Sequence, residues 1–102
     1  MPEHAVIVKF DYGSKDLGAL FALEDELEEL LADNSVGEYD GHEIAVDGSD
    51  GLLYLYGPDA DALFTSIRPT LAASASIKNA VATLRYGPPA DDTPSITVAI
   101  AA

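Results

Sequence analysis

The chain predicts an α+β fold, with one antiparallel sheet and two helices packed on a single face. Three observations carry that expectation. Five separate segments read as extended, with period-two alternation plain in residues 6–11. Two longer segments repeat apolar residues at three- and four-residue spacing. The segments run in the order β-α-β-β-α-β-β, a split β-α-β unit used twice with one strand added. That order builds a ferredoxin-like sandwich with a C-terminal extra strand. A length of 102 residues predicts a single domain over residues 1–102.

The first strand is marked by Val6, Val8 and Phe10, which alternate with Ile7, Lys9 and Asp11. Residues 12–15 break it, and Ser14 or Asp16 is placed to cap the next element. Residues 16–33 predict the main helix, with Leu17, Leu20, Leu23, Leu27, Leu30 and Leu31 as its buried stripe and Phe21 widening it. Its acids include the like-charged pairs Glu24/Glu28 and Asp25/Glu29, one turn apart. Asn34 suits a left-handed helix end.

Residues 36–46 read as extended but interrupted at Asp40-Gly41. That pair turns a hairpin or kinks one strand through a bulge, and the short flanks favour the kink. Residues 47–51, Asp-Gly-Ser-Asp-Gly, are a loop. Leu53 and Leu55 then face one side of a strand, and Leu52, Tyr54 and Tyr56 the other. Gly57-Pro58-Asp59 opens a second helix with Ala60, Leu63, Phe64, Ile67 and Leu71 inward. Pro69 predicts a kink or a restart there. Residues 77–86 and 95–100 are the last strands, joined by a proline-rich loop over residues 87–94.

Eighteen acids stand against five bases, a net charge of −13. Between residues 16 and 67 there are fourteen acids and no Lys or Arg, whereas residues 62–90 hold Arg68, Lys78 and Arg85 and no acid. Such a field repels nucleic-acid phosphates and anionic lipid and attracts cations or basic proteins. It also serves solubility or life in a salty cytoplasm. The absence of cysteine removes disulfides, thiol nucleophiles and thiolate metal sites. Residues 5–8 are the longest apolar run near the start, too short for a signal sequence or a span, so the expected location is cytoplasmic.

Three groups of residues are candidates for function. Glu38, Asp40, His42, Glu43, Asp47 and Asp50 fall in one acidic region, with Asp40, His42, Asp47 and Asp50 its candidate ligands. The spacing departs from the calcium-loop pattern and alternation sends Glu43 to the face opposite His42, so no metal site and no cofactor are expected. His42 beside Asp40 is the candidate general base; His4 sits near a terminus expected to fray. No nucleophile elbow, zinc-helix motif or phosphate loop is present. Ile7, Tyr54, Tyr56 and Arg85 share the sheet face that two helices leave open. Paired aromatics there resemble the RNA-recognition module, but the basic signature around them is missing and the charge has the wrong sign. Pairing of two copies over this face is the expectation instead.

Residues 36–44, Val-Gly-Glu-Tyr-Asp-Gly-His-Glu-Ile, and residues 53–64, Leu-Tyr-Leu-Tyr-Gly-Pro-Asp-Ala-Asp-Ala-Leu-Phe, resemble a pattern in a family of short bacterial proteins. The opening Ala-Val-Ile-Val strand and the Ala-Leu-Glu-Asp-Glu-Leu helix belong to the same resemblance. It implies one intact domain and assigns no activity, cofactor, partner or site residue. The expectation is a non-enzymatic acidic binding or regulatory module, a homodimer with a basic protein partner. The alternative is a small metal-dependent or acid/base enzyme centred on Asp40, His42 and Asp47.

Overall fold

Val6, Val8 and Phe10 point one way from the first strand and Ile7, Lys9 and Asp11 the other, and this alternation divides the molecule into a helical side and an open side. The computed structural model describes residues 3–13, 16–74, 77–88 and 92–100. Its elements are β1 (His4–Asp11), α1 (Gly18–Asn34), β2 (Glu38–Ile44), β3 (Asp50–Gly57), α2 (Ala60–Ala73), β4 (Lys78–Arg85) and β5 (Ser95–Ala99). They form one sheet in the order β2-β3-β1-β4-β5, with every neighbouring pair antiparallel. Both helices lie over one face. This is the ferredoxin-like sandwich, with β5 extending the sheet beyond β4.

The core follows the predicted patterns except at Phe21, expected to widen the α1 stripe and instead 51% exposed, one residue round the helix from Leu20. Val6, Val8, Leu53, Leu55, Ala82 and Leu84 come from the strands, and Leu20, Leu27, Leu63 and Ile67 from the helices; all are buried. At roughly 1.5–3 kcal/mol for each large apolar side chain withdrawn from water, this layer is the main stabilising term. No polar or charged residue is buried among the described residues.

Helix α1 begins at Gly18, two residues after the expected start, because Leu17 occupies the cap position and offers no side-chain acceptor. Asp16 instead accepts from the Gly18 N–H at 2.9 Å; the alternative cap, Ser14, lies outside the described residues. At the far end the left-handed residue is Ser35, φ 53°, one beyond the expected Asn34. Asn34 remains helical and donates its side-chain amide to the Leu30 carbonyl at 2.9 Å.

Of the two expectations at Pro69, the restart is not what the chain does: helix α2 continues through Pro69. Pro69 is exposed, so its ring costs one hydrogen bond at the surface. Ile67 and Leu71, buried on either side of it, keep the helix on the sheet. Asp59 is the N-cap, accepting from the N–H groups of Asp61 and Ala62 at 3.0 and 3.4 Å.

The interruption at Asp40-Gly41 is a bulge within one strand: the β2–β3 register shifts between Tyr39 and Gly41. At the other end of the pair, Gly37 and Gly57 let the two backbones approach. A Cβ on Gly37 would collide with the Tyr56 carbonyl, and one on Gly57 with that of Val36.

Candidate functional site

A bulge changes which side chains share a face. Residues three apart on a regular strand point to opposite sides. In β2 the extra residue at Asp40 restores the phase. Tyr39 therefore pairs with Leu55 and His42 with Leu53, and both turn toward α1. Glu24 of α1 comes down to meet them. Its Oε1 stands 2.9 Å from His42 Nδ1, with the two side chains 13% and 26% exposed. The alignment falls short of a well-formed hydrogen bond, and Oε1 and the Tyr39 hydroxyl are both buried without another partner among the described residues.

Burial first, then the Glu24 carboxylate beside it and Glu28 beyond, hold the Tyr39 phenol far above its ordinary range. The Phe21 ring lies over His42 at 6.1 Å between centroids. Next to His42 a cavity of about 390 Å³ opens between Leu17, Ile44, Ala45, Val46 and Gly48. Chemically the corner offers an imidazole with Nδ1 turned to a carboxylate, an arrangement that orients a general base.

The other acids of this region do not join it. Asp40 sits exposed at the bulge and Asp47 exposed in the loop. Asp47 Oδ1 accepts from the Ser49 N–H at 3.0 Å, and bonding to Ser49 holds its carboxyl below the usual carboxylate range. Asp50 begins β3 opposite Asp11. No three His, Asp or Glu side chains are grouped to hold a metal among the described residues. The candidate grouping of Asp40, His42, Asp47 and Asp50 is thus not assembled, and the partner His42 does have is Glu24.

The open face carries the second candidate group. Three rows cross the sheet there. Tyr54, Ile7, Thr83 and Thr97 form one; Tyr56, Ala5, Arg85 and Ser95 the next; Leu52, Lys9, Val81 and Ala99 the third. Ile7, Leu52, Tyr54, Tyr56, Val81 and Arg85 are all half-buried. Ile7, Tyr54, Tyr56 and Arg85 are thereby brought onto one surface. The Tyr54 phenol is pushed up by desolvation, then by its hydrogen bond to Glu43. Arg85 donates Nε–H to the Gly87 carbonyl at 2.9 Å. Glu38 and Glu43 lie opposite Tyr56 and Leu52 at the β2 edge, while Lys9 and Arg85 lie further in.

His4 opens β1; the terminal residues before Glu3, expected to fray, lie outside the described residues. Its Nδ1 accepts from the Ala60 N–H at 3.0 Å, satisfying one free donor of the α2 N-terminus. Its ring stands edge-on to Tyr86 at 5.6 Å, and Tyr86 donates to Asp61 at 2.6 Å. The Asp61 bond is the first cause that raises the Tyr86 phenol.

No protein family, curated protein or solved structure matches the chain. No helix among the described residues is long and apolar enough to cross a membrane.

Proposed function

We propose that the protein is a non-enzymatic acidic binding module whose α1–β2 side receives a basic protein partner. One observation carries the proposal: fourteen acids and no Lys or Arg between residues 16 and 67. That segment supplies α1, β2, β3 and the first half of α2; Asp59 and Asp61 belong to the α2 N-terminus, and most of the other acids lie on α1, β2 and the loop after it. Asp25, Glu26, Glu28, Glu29 and Asp33 are exposed along α1, and Glu38 and Asp40 along β2. A one-signed flank accelerates encounter with a partner of opposite sign and turns away nucleic acid and anionic lipid. Calorimetric titration with an octalysine peptide at low salt tests this. A saturable complex that salt weakens supports the reading; no heat of binding overturns it.

A second feature favours self-association. The open face is apolar and aromatic at its centre and carries both signs, Glu38 and Glu43 at one edge with Lys9 and Arg85 inside. Two copies related by a two-fold axis can set each acidic edge against the other's bases, as an isologous interface requires. We propose that this face joins a homodimer and leaves the acidic flank free.

The enzyme alternative rests on the Glu24–His42 pair. The hydroxyl beside that pair, on Tyr39, is buried and held protonated, which makes it a poor nucleophile. The binding reading is therefore preferred.

A further inference from the structure

The loop between β2 and β3 presents Val46 fully exposed, and Phe21 on α1 is 51% exposed. They are two of the three large hydrophobic residues exposed among the described residues, the third being Ile96. Val46 is in the wall of the corner cavity, and Phe21 stands beside two other wall residues. Phe21 closes the first turn of α1 onto Leu17 at 2.9 Å and covers His42, and Leu17 and His42 are both wall residues.

The loop that holds Val46 outward is well tied. Ala45 donates to the Asp50 carbonyl at 3.0 Å and Gly48 to the Ala45 carbonyl at 2.8 Å, closing the turn. Tyr12 donates to the Ser49 carbonyl at 2.9 Å and Gly13 to that of Gly48 at 2.7 Å, fastening it to the end of β1. Gly48 takes φ +73°, a conformation a side chain at that position would strain. These hydrogen bonds, with the Asp47 Oδ1 contact to Ser49, fix a β-branched apolar side chain in water. A preformed apolar projection loses little entropy when something covers it.

The rim decides what that something is. Asp16 precedes Leu17, Asp25 lies one turn beyond Phe21, Asp47 is next to Val46, and Glu24 touches His42. No Lys or Arg occurs between residues 16 and 67. A second copy would bring the same acids against these, and lipid headgroups or nucleic acid would bring phosphates. A cation-bearing segment with one apolar side chain satisfies both the wall and the rim. A cavity of about 390 Å³ is at the small end of the range that accepts drug-sized ligands, enough for a single side chain.

We infer that the corner cavity between α1 and the β2–β3 loop docks one aliphatic side chain of a Lys- or Arg-rich segment of a partner protein. Val46, Leu17 and Ile44 are its apolar lining and His42 its polar wall, with Phe21 and Glu24 standing behind His42. This rests on the acidic-module reading and adds to it a specific pocket.

Two fluorescent peptides of equal charge test it, one with a leucine between two runs of lysine and one with alanine in its place. Anisotropy titrations are run on the wild-type protein and on Val46→Asp, whose altered side chain stands in solvent and whose melting is checked. The expected result is a leucine preference of about tenfold on the wild type. Val46→Asp abolishes that preference without weakening the alanine peptide, since the variant adds an acid. Equal binding of the two peptides to the wild type, or a preference that survives Val46→Asp, overturns the pocket and leaves the acidic module standing. If neither peptide binds, both readings fall.

Discussion

Glu24 on the main helix and His42 on the edge strand face one another at 2.9 Å, brought together by a single bulge in β2. Removing the two together is expected to cost less than the sum of removing each. A cycle of Glu24→Gln, His42→Gln and the double variant, read by denaturant melts, should give a coupling of about 0.5–3 kcal/mol; additivity within about 0.3 kcal/mol would show that the approach is idle. Tyr39→Phe is the companion variant. Its hydroxyl is buried without a well-formed partner, so its removal should be neutral or raise stability by up to about 1 kcal/mol.

The phenols predict the alkaline behaviour. Tyr39, Tyr54 and Tyr86 all have raised folded values. Raised values mean that the folded state keeps protons the unfolded chain gives up. Their contribution is whole below the ordinary tyrosine value of about 10 and is lost as pH climbs above it. Stability should therefore fall with pH in that window, and phenolate absorbance should show Tyr39 ionising last, together with unfolding. A single titration step for all five tyrosines in folded protein would refute this.

Asp59 and His4 serve the same helix end from two sides. Asp59→Ala removes the acceptor for two N–H groups and His4→Ala the acceptor for a third. Each should lower stability by about 1 kcal/mol, measured by thermal melts. Asp59→Gly should cost only a few tenths of that.

Self-association should strengthen with salt. Copies with a net charge of −13 repel over about 10 Å at 0.1 M ionic strength, while the apolar centre of the open face is indifferent to screening. Sedimentation equilibrium should show a dimer that tightens in moderate salt and is abolished by Tyr54→Lys. A monomer at tens of micromolar, roughly −6 kcal/mol of association free energy, rejects the interface.

The layer structure is legible in the sequence because period-two and period-3.6 patterns survive in Val6 to Phe10, Leu53 and Leu55, and the leucines of α1. The interruption at Asp40-Gly41 is legible too, as an Asp-Gly pair too close to both strand ends for a hairpin. Its consequence is not. Glu24, four residues after Leu20 and three before Leu27, falls on the leucine face by helical spacing alone, but only the observed register tells that Tyr39 and His42 share a face. That register is not a local property of the chain. Spacing alone therefore matches His42 to its neighbours Asp40 and Asp47 rather than to Glu24. The restart expected at Pro69 fails for a related reason: its local cost is real, but Ile67 and Leu71, buried on either side, hold the helix continuous. The role of His4 is not legible in the sequence because its partner, the Ala60 N–H, lies fifty-six residues away.

A basic partner that docks on the acidic flank must distinguish that flank from net charge. Two variants that each lose three charges separate the possibilities. One carries Asp25→Asn, Glu28→Gln and Glu29→Gln on α1; the other carries Glu3→Gln, Asp11→Asn and Asp92→Asn elsewhere. Octalysine affinity is measured for both at the same low salt. Docking on the flank predicts a loss of about tenfold or more in the first and less than about twofold in the second, the former equal to about 1.4 kcal/mol. Equal losses in the two variants would contradict it, because the peptide would then be reading total charge rather than a surface.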